Sequence, residues 1–172
     1  LLLKDLSFGK PYAQFPVVRV PYDKRKFHSK AVEAAIVEFQ AKVTSRELGW
    51  LFENCFPNTL DTTVDFEMLN NKPDTYVITG DIDAMWLRDS TAQVWPYLML
   101  IKEDKALQQL IAGVINRHAK CVLKDPYANA FYKDENKECE WKSDLTKMQH
   151  GNHHHKREAD SLSYPTRIHL TN

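Results

Sequence analysis

At 172 residues, with 43% hydrophobic and 27% charged side chains, the chain has the size and composition of one globular domain and lacks the bias of a disordered polymer. Its 23 basic residues against 23 acidic ones remove the electrostatic footprint of a nucleic-acid binder or an anionic-membrane binder, so a neutral partner fits better. Leu1 to Leu3 are cut off by Lys4 and Asp5, short of the apolar run that a signal peptide or spanning helix requires, and no membrane insertion is expected.

Residues 1–27 carry Pro11, Pro16 and Pro21 with no sustained period and read as an extended arm laid over a surface. From Ser29, a plausible N-cap, Val32, Ala35, Ile36, Phe39 and Val43 recur at helical spacing. A second helix is expected from Ser45, burying Leu48, Leu51, Phe52 and Cys55 and stopping by Pro57, so that the two form a helical hairpin. The stretch Asn58 to Lys72, with Thr62, Val64 and Phe66 alternating, and the β-prone Thr75 to Ile78 read together as a long loop with short strand pieces. Asp89 or Ser90 can cap a helix running to about Ile101, kinked by Pro96.

The strongest helical pattern is Lys105 to Leu123 behind an Asp104 cap, with Leu107, Leu110, Ile111, Val114, Ile115, His118 and Val122 on one face. His118, on that apolar face, reads as a core histidine with a single partner. From Asp125 to His150 the pattern is lost and the segment reads as an excursion of the kind that often lines sites. Asp160 or Ser161 can cap a last helix, with Pro165 in its early turn. Cys55, Cys121 and Cys139 are odd in number with no CxxC spacing, which indicates buried thiols with room for one disulfide. The histidines His150, His153, His154 and His155 read as a solvated run, since three adjacent imidazoles cannot all face one ion from a regular element.

The most unusual run is Thr79 to Pro96, TGDIDAMWLRDSTAQVWP. Asp81, Asp83 and Asp89 offer acceptor-only oxygens, Arg88 a rigid fork of donors, and Trp86 and Trp95 broad apolar faces. A hexose presents vicinal hydroxyls that a carboxylate and a guanidinium can grip together, and C–H patches that lie against an aromatic face. The plainer reading makes Arg88 and Asp89 a structural ion pair at a helix start, with Trp86 filling the core.

The run GDIDAMWLRDSTAQVWPYL resembles, almost residue for residue, the motif of glycoside hydrolase family 125, the metal-independent exo-α-1,6-mannosidases. The likeness extends from about Phe27 through ENCFPNTLDTT to DSLSYP near the C-terminus. His153, Lys156, Glu158, Asp160, Ser161 and Leu162 match the family pattern before that last run, while His154, His155 and Arg157 replace an acid, a base and an aromatic.

The resemblance implies an all-α architecture of helical hairpins, part of an (α/α)6 toroid, with long irregular loops at its mouth. Twelve helices of about 12 residues with links of about 5 need on the order of 200 residues, so residues 1–172 are expected to form a single incomplete domain, the N-terminal portion of the family's catalytic domain. The apolar stripe of Lys105 to Leu123 is then expected to be partly uncovered. The resemblance further implies a terminal α-1,6-linked mannose of an oligosaccharide or glycan as substrate, held by Asp81, Trp86, Arg88, Asp89 and Asp160. An inverting general-acid Asp and general-base Glu align beyond Asn172, so no residue of the chain is assigned a catalytic role, and no metal or cofactor is expected. A non-catalytic fragment or carbohydrate-binding domain is the alternative, and oligomeric state is left open.

Overall fold

A computed structural model describes residues 15–80, 83–138 and 152–154. Helix α1 (Lys30–Lys42) begins where Ser29 Oγ accepts the Val32 N–H, and α2 (Arg46–Cys55) where Ser45 Oγ accepts that of Leu48. Ser29 is the cap predicted, and Ser45 stands where the second helix was expected to start. The two helices form a hairpin closed by a run of rings: Phe39 stacks on Phe52 at 4.1 Å, Phe52 on Phe56 at 4.5 Å, and Phe56 meets Tyr97 at 5.3 Å. A short helix α3 (Asn58–Thr62), absent from the sequence expectation, follows Pro57 and buries Leu60 and Asp61.

The next segment corrects both the long-loop reading and the all-α expectation. Strands β1 (Val64–Leu69) and β2 (Lys72–Val77) make a regular antiparallel hairpin from Val64↔Val77 to Leu69↔Lys72. Asn70 and Asn71 turn it with φ of 51° and 61°. Two consecutive residues at positive φ define the turn whose twist matches that of paired strands, and Asn is among the few residues that adopt it at low strain.

Helix α5 (Lys105–Lys124) lies across β2. Gly113 permits the approach: a Cβ there would fall 2.2 Å from Thr75 Oγ1 and 2.9 Å from the Thr75 amide nitrogen. Thr75 Oγ1 then donates to Leu110 O at 2.8 Å, and Asn116 Nδ2 donates to Pro73 O at 2.8 Å. Asp74, fully buried on β2, receives Arg117 Nε at 2.6 Å and pairs with Lys120. Of the stripe read in the sequence, Leu107, Leu110, Ile111, Val114 and His118 are buried and Ile115 and Val122 half-buried, so most of it is covered, against the expectation. The hairpin, read in the sequence only as strand pieces within a loop, packs against it.

The uncovered face belongs to α2. Gly49 alone is buried in that helix, and Leu48 and Leu51 are 52% and 40% exposed, against the expectation that Leu48, Leu51, Phe52 and Cys55 are buried. Cys55 is exposed and free and Cys121 is buried and free; Cys139 lies outside the described residues.

Asp104 ties the start of α5 to the start of α1. Its Oδ1 accepts the Ala106 and Leu107 N–H groups at 3.0 and 3.1 Å, while Oδ2 accepts Ser29 Oγ at 2.7 Å. Burial alone would raise this carboxyl's pKa, but the hydrogen bonds from Ser29, Leu107, Ala31 and Ala106 hold it below the usual range.

Ahead of α1, residues 15–27 contain one 3-10 turn (Tyr22–Lys24) and no strand or α-helix. They are held by Trp50 Nε1 donating to Pro16 O at 2.9 Å and by Arg19, whose guanidinium bonds Asp61 at 2.7 Å and Glu33 at 2.6 Å. Residues 1–14 of the expected arm and the helix expected after Asp160 or Ser161 lie outside the described residues. Among the described residues, no helix is long and apolar enough to cross a membrane.

Candidate functional site

The run 79–96 enters through a loop closed on itself: Thr79 N and Oγ1 both donate to Ala84 O, at 3.2 and 3.0 Å, and Gly80 sits at φ +95°. Strand β3 (Met85–Trp86) then pairs antiparallel with β4 (Ala130–Phe131), which pairs in turn with β5 (Asn152–His154). Helix α4 (Leu87–Val94) starts at once. Its first N–H, that of Leu87, donates to Asn129 O at 3.1 Å. A backbone carbonyl thus satisfies the first N–H of the helix; Trp86 stands at the N-cap with no side-chain capping bond, and Asp89 and Ser90 lie inside the first turn, so neither is the cap predicted. Pro96 has no N–H to continue the ladder, and the predicted kink appears as a change from α-helix to a 3-10 segment, Trp95–Leu100.

One face of α4, comprising Leu87, Ser90, Thr91 and Val94, is buried. Ser90 Oγ meets Trp86 O at 2.6 Å and His118 Nε2 at 2.8 Å. With its single proton on the carbonyl, the hydroxyl accepts the proton of His118 Nε2. His118 is therefore a buried tie between α4 and α5, as its place in the stripe suggested.

Fixing that face aims the other outward. Arg88 and Asp89 are half-exposed, 34% and 43% by side chain, and Arg88 Nη2 donates to Asp89 Oδ2 at 3.2 Å. Trp86 is half-buried against Ala84, Ala130 and Tyr132. The structure therefore brings three of the five expected sugar-contacting residues, Trp86, Arg88 and Asp89, to the N-terminal mouth of one helix. Asp81 and Asp160 lie outside the described residues.

Sequence reasoning missed the wall beside this mouth. Asp83, Tyr132, Lys133, Asp134 and Lys137 line an open cavity of about 430 Å³. Lys137 Nζ is 3.6 Å from Asp83 and 4.2 Å from the Tyr132 ring centroid, while Lys133 pairs with Asp65 of β1. Trp86, Arg88 and Asp89 do not line this cavity; Asp83, three residues before Trp86, joins the two regions. Behind it, buried Asp125 accepts Tyr127 N at 2.9 Å and Asn152 Nδ2 at 2.8 Å, anchoring β5 at the end of α5. The only available signal was the clustering of Tyr, Asn, Asp and Lys after Asp125, which marks a loop without saying what it faces.

Among the described residues, no group of three or more His, Cys, Asp or Glu is arranged to hold a metal ion. His150 and His155 lie outside the described residues, and of His153 and His154 only the backbone is described.

Residues 45–171 match the family model of the metal-independent alpha-mannosidases, GH125. The chain is 42% identical over 134 residues to the meiotically up-regulated gene 157 protein of Schizosaccharomyces pombe, covering 74% of this chain and 26% of that protein. It also superposes, with a TM-score of 0.75 and 42% identity, on a solved Streptococcus pneumoniae structure described as a non-productive substrate complex of a metal-independent alpha mannosidase with alpha-1,6-mannobiose. That match covers 85% of this chain and 34% of the solved one, so the chain spans about a quarter to a third of these relatives' length. With its family model matched over residues 45–171 and its fold shared at 42% identity, the chain belongs to the metal-independent alpha-mannosidase family GH125.

Proposed function

We propose that this chain forms the sugar-gripping part of an α-mannosidase site that takes a terminal α-1,6-linked mannose, and that it is the N-terminal portion of an (α/α)6 catalytic domain. The observation that carries the reading is the outward pair of Arg88 and Asp89 beside Trp86 at the mouth of α4. A guanidinium donates and a carboxylate accepts, so the pair can hold two neighbouring hydroxyls of a sugar's free end, while the indole takes its C–H face. Asp81 and Asp160 complete the proposed set by their place in the family motif.

Hydrolysis requires two further carboxyl groups across the scissile bond, about 6.5–9.5 Å apart for inversion so that a water fits between. We assign these to the part of the family's domain that this chain does not span, as a general-acid Asp and a general-base Glu. A mannose-binding chain without hydrolytic activity is the second reading, favoured by the match to only 34% of the solved mannosidase.

Incubation with α-1,6-mannobiose, followed by NMR of the released anomer, separates the readings. The chain alone is expected to leave the disaccharide intact. Joined to the remaining two thirds of the solved mannosidase, it is expected to release mannose with inverted configuration. Hydrolysis by the 172-residue chain alone, or retention of configuration, contradicts the assignment.

A further inference from the structure

The residues proposed to grip the sugar, Trp86, Arg88 and Asp89, are almost consecutive, so whatever fixes the backbone of this short segment sets the geometry of the grip. One tether is the bond from Leu87 N to Asn129 O, 3.1 Å long, which holds the segment to the loop before β4. Another runs through side chains. The Trp86 carbonyl accepts the Ser90 hydroxyl at 2.6 Å, and that hydroxyl accepts the proton of His118 Nε2 at 2.8 Å. A relay from α5 thus ends on the backbone of the proposed stacking residue, and its middle member, Ser90, is the next residue after Asp89.

The far end of the relay is anchored. His118 follows Arg117, whose Nε donates to the fully buried Asp74 of β2 at 2.6 Å, and Cys121, less than one turn further on, is buried as well. His118 is 1% exposed and Ser90 is wholly buried, so their bond is sheltered from competition by water. An aliphatic residue at 118 would continue the stripe of Leu107, Leu110, Ile111 and Val114 without the cost of burying a polar ring. The imidazole instead places a directional donor against the face of α4 opposite Arg88 and Asp89.

We infer that His118, acting through Ser90, is a positioning residue for the mannose grip: it fixes the Trp86 carbonyl and the rotation of the first turn of α4 without touching the sugar. The inference rests on the mouth of α4 being the mannose site.

The test compares His118→Leu, which removes the donor, with His118→Gln, whose amide nitrogen can serve Ser90 Oγ in place of Nε2. Two quantities are read by NMR in the 172-residue chain: the Trp86 indole signal without sugar, and the Kd for α-1,6-mannobiose. His118→Leu is expected to displace the sugar-free signal and to weaken binding by about three- to tenfold, the effect of losing one hydrogen bond. His118→Gln is expected to return both close to the parent values. Tyr97→Phe controls for lost stability, because it removes the bond from Tyr97 Oη to Phe56 O, away from the mouth. It is expected to melt lower and to leave both quantities unchanged. Should His118→Leu fail to fold, Ser90→Ala breaks the relay at its middle and is expected to give the same displacement and weakening. A folded His118→Leu or Ser90→Ala chain with the parent's Trp86 signal and Kd overturns the proposal. So does an equal weakening in Tyr97→Phe, which would make the loss one of general stability. If the parent chain ignores mannobiose while its Trp86 signal moves with His118→Leu and returns with His118→Gln, the tether to the mouth stands and the mannose reading of that mouth falls.

Discussion

Arg88 and Asp89 are positioned by the fixed neighbours on either side of them. Ser90 and Thr91 bond back to the carbonyls of Trp86 and Leu87, and Leu87 and Val94 are wholly buried, which sets the rotation of α4. The exposed Arg88–Asp89 contact adds little to folding, since exposed ion pairs contribute about 0–1 kcal/mol. A contrasting residue is Gly113, where structure depends on a missing atom. Gly113→Ala gains helix propensity of about 1 kcal/mol but drives a Cβ into Thr75, displacing the bond to Leu110 O. Overpacking of this kind costs about 1–3 kcal/mol, and the strand backbone cannot swing away as a side-chain tip could. The variant is therefore expected to melt several degrees lower in a thermal scan; an unchanged or raised melting temperature would show that α5 can lift from β2 without loss.

Three elements, α1, α2 and α5, with the caps Ser29 and Asp104 and the start of α2 at Ser45, were legible in the sequence because capping and helical periodicity are local. The β1–β2 hairpin was legible only as short strand pieces in a long loop. Its turn rests on Asn70 and Asn71 both adopting positive φ, and its strands alternate poorly because β2 is buried over four consecutive residues, Asp74 to Val77. Which face is covered is a non-local matter, and the exposed stripe was assigned to α5 when it belongs to α2. The same limit applied at the site: Trp86, Arg88 and Asp89 stood together in one motif, whereas Asp83 and Lys137 meet only through the β3–β4 pairing.

At this scale Asp104 joins two helix N-termini, and its titration is testable. Its folded pKa lies below the ordinary value, so its contribution is complete above the unfolded-state pKa of about 3.9 and is lost as pH falls through the folded value. Asp104→Asn keeps the shape and removes the charge. The variant is expected to melt lower than the parent at neutral pH, and the gap between their melting temperatures is expected to narrow as pH falls from about 5 to below 3.9. A gap constant over that range would mean that the carboxylate's charge contributes nothing at the α1–α5 junction.

Taken whole, the molecule is a helical scaffold with a polar mouth at one place and an unfilled apolar groove at another. α5 and the hairpin form the part that is complete, with Tyr76 Oη donating to Phe131 O at 3.2 Å to fasten the β3–β4–β5 sheet onto the hairpin. The mouth is built on that part, through β3 and the buried face of α4, while the groove lies between α2 and the α4 to 3-10 junction, where no described element covers Leu48 or Leu51. Under the proposed function, the mouth alone would hold the sugar, whereas hydrolysis would need the rest of the family's domain.

The most direct test is an NMR titration of the 172-residue chain with α-1,6-mannobiose, following the Trp86 indole signal, with a melting curve run on each preparation. The unsubstituted chain is expected to show a saturable shift with a Kd on the order of 1–10 mM, as befits a site open on one side. Asp89→Asn is expected to weaken binding by about tenfold or more through loss of a charge-assisted hydrogen bond, with the melting temperature unchanged. A chain whose Trp86 signal ignores the disaccharide contradicts the account, as does an Asp89→Asn variant that binds normally and melts lower, for then Arg88 and Asp89 are a structural pair and the mouth of α4 is not where mannose is held.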